Sequence, residues 1–235
     1  MTAGETRRLR KFFGLDGVDE CRFYLPTFSG PAELQTRSSR SSRNEKSSSL
    51  GSLQYPGRTF ADRDARAAFY ITAILSRAIE VENIRWEAAG ARTSGQPGTI
   101  FVFGSRSNQA ADWVMGASAL GKFLHFEFGD KWSIRAGERE FSLKAPDELT
   151  REEYERETDY GVVGRFRDLE TSAQIFLIAG LGSRATEGCG YFLTREWECL
   201  AHRFKGRDFA VVLKFPPPID PKHSVEVAAF DNTPE

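Results

Sequence analysis

Three short apolar runs limit the folds open to this chain. Residues 99–103 (TIFVF), 174–178 (QIFLI) and 209–215 (FAVVLKF) have strand length and carry few polar side chains. A strand with one wet face alternates apolar and polar residues, whereas a run without that alternation is expected to be covered on both faces. Helical patterns lie between and around these runs. In 62–81 the residues Ala67, Ile71, Ile74, Leu75, Ala78 and Ile79 make one apolar face, with Asp62 or Asp64 placed to cap its start. A second helix is expected from Gln109 to about Leu120, although Gly116 weakens it by roughly 1 kcal/mol relative to Ala. A third shows the stripe Cys189, Phe192, Leu193, Trp197, Leu200 and Phe204, with Thr186 as its N-cap.

Buried strands alternating with helices predict an α/β fold: a mostly parallel, Rossmann-like three-layer sheet with helices on both faces. The alternative is an α+β sheet with segregated helices. Shorter strands are expected at 22–28, 84–88, 160–166 and 225–230. Residues 123–145 change character, with imperfect alternation broken by Gly129-Asp130 and Ala136-Gly137, and read as a β-meander insertion. Residues 1–20 are polar and read as an N-terminal extension, leaving 21–235 as one domain. Within it, 36–53 is rich in Ser and Arg, has almost no apolar side chains, and is expected to be a disordered insert.

Composition narrows the partners. With 32 basic and 33 acidic residues the net charge is −1, which lacks the basic excess of a dedicated nucleic-acid binder. No apolar run approaches the ~20 residues of a membrane-spanning helix, so no membrane partner is expected. Cys21, Cys189 and Cys199 are an odd number without paired spacing, as in a reducing compartment, and the cytoplasm is the expected location. No His/Cys pairing has the spacing of a metal site, so no metal is expected, and no cofactor is identified.

One local pattern occurs twice. Ile100–Phe103 leads into Gly104-Ser105-Arg106, with Ser107 and Asn108 before a helix, and 175–178 leads through Gly180 into Gly182-Ser183-Arg184, with Thr186 before a helix. A parallel strand delivers the chain to the carboxyl edge of the sheet, where ligands of open α/β folds bind. Glycines permit sharp turns and close approach, a helix N-terminus favours an anion, and arginines add bidentate hydrogen bonds to phosphate or carboxylate. The candidate ligand-binding residues are therefore Gly104, Ser105, Arg106, Ser107, Asn108, Gly180, Gly182, Ser183, Arg184 and Thr186. Neither turn is a P-loop, since Gly-Lys-Ser/Thr is missing. Gly180-Leu181-Gly182 supplies two glycines of the dinucleotide fingerprint, with Ala185 at the third position. Purely local preferences for Gly and Ser at strand-to-helix turns explain the same residues without a ligand.

Asp112 and Glu187, early in the two helices, are the candidate catalytic carboxylates, although acidic residues also favour first turns through the helix dipole alone. The leading expectation is a binding or sensor domain for an anionic, nucleotide-like small molecule held by both turns. One alternative is an enzyme acting on such a ligand, a nucleotide or glycosidic-bond hydrolase. The other is a protein–protein interaction module without a ligand.

Overall fold

The computed structural model describes residues 2–18, 20–28, 54–55, 58–88, 98–105, 108, 110–111, 114–115, 124–145, 148–168 and 171–231. In chain order its elements are α1 (Ala3–Phe13), β1 (Cys21–Leu25), β2 (Thr27–Phe28), β3 (Gln54–Tyr55), β4 (Arg58–Phe60), α2 (Asp62–Leu75), a 3-10 turn (Val81–Asn83), β5 (Ile84–Ala88), β6 (Thr99–Phe103), β7 (Leu124–Phe128), β8 (Lys131–Ala136), β9 (Arg139–Lys144), α3 (Arg151–Arg156), β10 (Asp159–Arg167), β11 (Gln174–Gly180), α4 (Ser183–Phe204), β12 (Phe209–Phe215) and β13 (Val225–Asp231). Residues 110–111 and 114–115 are also helical. The expected insert at 36–53 lies outside the described residues, as does most of 109–120.

The chain is an α/β protein, and its main sheet is mixed. Seven strands run in the order β13-β12-β10-β11-β6-β1-β5. The neighbours β5, β1, β6 and β11 are parallel, while β10, β12 and β13 add on antiparallel. A mostly parallel sheet was expected, and the short link from β10 to β11 explains the difference. A parallel return needs a crossover of roughly a dozen residues or more, whereas β10 ends at Arg167 and β11 starts at Gln174. Asp168 closes that link, accepting the Thr171 N–H at 3.0 Å while its carbonyl accepts the Ser172 N–H at 2.9 Å.

Alternate side chains of the sheet feed two cores. On one face, Phe23, Phe101, Phe103, Phe176, Ile178, Phe209, Val211 and Phe215 pack with α1, α2 and α4. On the other, Tyr24, Ile100, Val102, Ile175, Leu177, Val162 and Val212 pack against Ala110, Ala111 and Val114 and against Leu124, Ile134 and Leu143 of the antiparallel sheet β7-β8-β9. Helices were expected on both faces; the second face is instead covered partly by strands. The uninterrupted apolar runs follow from this two-sided burial.

The start of the chain differs from a polar extension. Residues 3–13 form α1, opened by a capping box in which Thr2 and Glu5 bond each other's backbone N–H groups, and closed by Gly14 at φ 68°. Leu9, Phe12 and Phe13 are buried. Phe13 sits 5.9 Å from the ring of Phe101 and 5.2 Å from that of Phe176, two residues that are themselves paired across β6 and β11 and stacked at 4.9 Å. Arg165 secures the same helix: its buried guanidinium lies 5.2 Å from the rings of Phe12 and Phe209 and donates to the carbonyl of Phe12. Burial pushes that guanidinium down to about 10.

α2 ends at Leu75, short of the expected Val81, and its N-cap is Ala61; Asp62 and Asp64 lie inside the first turn. α4 crosses α2 closely. A Cβ on Gly190 would lie 2.8 Å from the Ala67 Cα and 2.9 Å from its carbonyl oxygen, so only glycine permits this approach.

Because Phe13 fills the centre of the first core, Phe13→Ala is expected to cost about 3–5 kcal/mol in urea unfolding, as for other buried Phe truncations. A loss below about 1 kcal/mol would mean that α1 is a dispensable appendage.

Candidate functional site

The carboxyl ends of β1, β6 and β11 share one edge of the sheet, because their register is level: Cys21 pairs with Thr99, and Gln174 pairs with Thr99 on the other side. After β1 the chain proceeds through α2 on the first face to β5. After β6 it passes to the opposite face, where Ala110, Ala111 and Val114 are buried. The two crossovers thus leave β1 and β6 toward opposite faces, the position at which open α/β sheets bind ligands.

Gly104 lies at that position, packed under Pro26 and Asp64. Its φ is +80°, a conformation that favours glycine, and its N–H donates to the Ile178 carbonyl at 2.9 Å. A Cβ there would stand 3.1 Å from Pro26 and 3.2 Å from the Asp64 carboxyl. Ser105 donates its hydroxyl proton to the Gly180 carbonyl at 2.7 Å, joining the two glycine turns. The fully buried Asn108 donates to the carbonyls of Tyr24 (3.1 Å) and Phe103 (2.7 Å) and accepts from the Ala110 N–H at 2.9 Å. It therefore pins both strand ends and starts the following helical turn.

The second turn is built differently. Thr186 is not the N-cap of α4; that position is Gly182. The Thr186 hydroxyl instead accepts from the Gly180 N–H at 3.0 Å and bonds the Asp64 carboxyl. The N-terminus of α4 is occupied by the protein's own anion. Asp159, fully buried, accepts from the backbone N–H groups of Gly182 (3.0 Å), Tyr160 (2.7 Å) and Ala185, and from the Tyr154 hydroxyl at 2.5 Å. Burial nevertheless raises the Asp159 carboxyl above its usual range. An anion was expected at this helix end from a ligand, and Asp159 stands in that place.

The remaining candidates divide accordingly. Arg184 pairs with Glu155 at 2.7 Å, donates to the Ile219 carbonyl at 3.4 Å and covers the Tyr154 ring, so its guanidinium is committed to the α3 segment. Glu187 is buried, ion-paired with Arg63 and hydrogen-bonded to the Tyr70 hydroxyl. Ser183, the first residue of α4, is exposed. Arg106, Ser107 and Asp112 lie outside the described residues. The structure thus brings Gly104, Ser105, Asn108, Gly180 and Thr186 together and directs Gly182 and Arg184 to internal partners.

Asp64 was read from the sequence only as a cap, yet its carboxyl is buried between Gly104 and Thr186. It is 7% exposed, and burial raises its carboxyl to about 7, with the Thr186 hydrogen bond pulling the other way. The flanking charges are engaged with one another: Arg63 with Glu187 and Arg66 with Asp62 at 3.2 Å. Asp62 and Asp64 look alike in sequence, and only tertiary placement separates the exposed one from the buried one. Asp159 was also missed; an acidic residue directly before the apolar strand 160–166 was its available signal. Among the described residues no three His, Cys, Asp or Glu side chains form a metal site, and no helix is long and apolar enough to cross a membrane. Cys21 and Cys189 are buried thiols and Cys199 is exposed; burial pushes Cys21 up to about 12.

The raised Asp64 carboxyl makes stability depend on pH with a known sign. Between its unfolded value near 4 and its folded value of about 7, the folded chain holds a proton that the unfolded chain releases. Stability contributed by protonated Asp64 is therefore lost as pH rises through that window, by at most about 1.4 kcal/mol per pH unit. Asp64→Asn is expected to flatten this slope in urea melts between pH 5 and pH 8; an unchanged slope refutes the assignment.

Compared with protein-family models, curated proteins and solved structures, the chain matches no family model, no curated protein and no solved structure.

Proposed function

We propose that this chain is a binding domain for an anionic, nucleotide-like small molecule seated in the crevice between the ends of β1 and β6. The carrying observation is the meeting there of Pro26, Gly104, Asp64 and Thr186, from four separate segments, around one nearly buried carboxyl. We read the parallel half β5-β1-β6-β11 as Rossmann-like, with β10, β12 and β13 as an antiparallel departure from that plan. Ligands of such sheets bind at the carboxyl edge where the crossovers diverge.

The anion contact is assigned to α2 in place of α4. Ala61 brings no capping side chain to α2, and we assign the ligand's anion to the positive end of that helix's dipole. Arg63 and Arg66 flank that turn, and both side chains keep about a third or more of their surface in water. Asp64 supplies a polar partner for the uncharged part of the ligand. A reducing, cytoplasmic setting belongs to the same proposal.

The test is a thermal-shift screen against nucleoside mono- and diphosphates, dinucleotides, sugar phosphates and inorganic phosphate. A binder present at 100 times its Kd adds about 2.7 kcal/mol. Gly104→Ala is expected to abolish the shift while unfolding stays cooperative, because the new Cβ crowds Pro26 and displaces the Asp64 carboxyl. Arg184→Ala is expected to keep the shift, since Arg184 is held by Glu155. Absence of any shift across the panel would refute the proposal in favour of an interaction module whose glycine turns are architectural.

A further inference from the structure

We propose that the β5 edge of the main sheet is a self-association surface whose partner is the β5 edge of a second copy of this chain. The two strands pair antiparallel about a twofold axis at Trp86 and continue one sheet into the other. This surface is separate from the ligand site proposed above and does not depend on it.

The two ends of the seven-stranded sheet are built differently. At one end, β13 shifts register against β12 at Val212/Leu213, and its Val227 carbonyl accepts from the Arg139 guanidinium at 3.1 Å. Bulges and covering groups of this kind blunt a sheet edge against further pairing. At the other end, β5 follows β1 without a register shift from the Cys21–Ile84 pair to the Leu25–Ala88 pair. Its margin is also apolar. Among the described residues three large hydrophobic side chains, Phe69, Val81 and Val225, are exposed by half or more, and two of them stand beside β5. Val81 opens the 3-10 turn that enters the strand at Ile84. Phe69 of α2 lies 5.8 Å from the Trp86 ring, which packs in turn on Phe23 at 5.5 Å. A regular sheet end with an apolar margin is suited to strand addition.

Charge selects the occupant. Side chains of a strand alternate between faces, so Ile84 and Trp86 lie on the α2 face and Arg85 and Glu87 on the other. Arg85 is 62% exposed, with Glu20 beside it at 3.2 Å, and Glu87 is partly exposed. In an antiparallel pair centred on Trp86, each Arg85 stands opposite Glu87 of the second copy, and symmetry makes this contact twice. The Trp86 positions meet on the other face, with the Phe69 side chains next to them. An axis placed on Arg85 or on Glu87 sets like charges directly opposite, which is unfavourable. A foreign strand needs a matching charge order of its own, whereas a second copy always brings it. One ladder of five residues with this margin is small for a protein interface, and small interfaces give weak, concentration-dependent association.

The experiment is sedimentation equilibrium of the full chain from micromolar to millimolar concentration, where the parent is expected to dimerise. Arg85→Glu and Glu87→Lys each set like charges opposite in both symmetry-related contacts, and each is expected to raise the dimer Kd by about tenfold or more. An equimolar mixture of the two variants restores both attractions across the axis and is expected to associate about as the parent does. Melts of both variants are expected to stay cooperative, since neither side chain is buried. Should one of them fail to fold, Val81→Asp on the exposed margin replaces it and is expected to weaken the dimer. A parent that stays monomeric throughout the range overturns the inference. So does a dimer that both single variants form as readily as the parent, or a mixture no more associated than its components.

Discussion

The level pairing of β6 with β11 is the constraint on which the two glycine turns depend. Ile100 lies opposite Ile175 and Phe103 opposite Ile178, so both strands end at the same height. That register lets the Gly104 N–H reach the Ile178 carbonyl and the Ser105 hydroxyl reach the Gly180 carbonyl. A slip of one residue would turn every side chain to the opposite face and separate the two turns. The register is itself secured by the core: Phe101 stacks on Phe176 across the strands, and Phe13 of α1 packs against both. The N-terminal helix, remote from the two turns in sequence, is in this way part of what holds them.

Two turns with the same tripeptide are put to different uses. At the first, the backbone is bent at Gly104 and packs under Pro26 and Asp64. At the second, the N–H groups that a ligand would need are already taken by Asp159, and Arg184 is taken by Glu155. Local sequence could not separate these cases, because Gly-Ser-Arg before a helix is equally suited to receive an external anion or an internal one. The difference lies in Asp159, which sits more than twenty residues earlier, at the head of β10, and reaches α4 only because β10 runs antiparallel beside β11.

The fold was legible where burial leaves a mark on composition. The runs 99–103, 174–178 and 209–215 read as two-sided strands because their apolar residues are continuous and buried, with polar side chains limited to Thr99, Gln174 and Lys214 near their ends. The stripe from Cys189 to Phe204 read as a helix for the corresponding reason on one face. Strand direction leaves no such mark, and the brevity of the link between Arg167 and Gln174 was the available clue. α1 was hidden by its Arg and Lys residues, although Thr2 and Glu5 already spelled a capping box before Leu9, Phe12 and Phe13. Asp64 was legible as a first-turn acid but not as a buried one, since depth is a property of the packed helices.

The close crossing of α2 and α4 fixes where Asp64 is held. Gly190 rests directly on the Ala67 backbone, about one helical turn from Thr186 and from Asp64, so main chain meets main chain at the crossing. Beside it the ring of Tyr70 packs on that of Tyr191, and Arg63 reaches Glu187. Interfaces of that kind resist sliding, since any shift drives atoms into contact at native packing density. The bond between Thr186 and Asp64 is therefore held at a spacing that a missing methyl group sets.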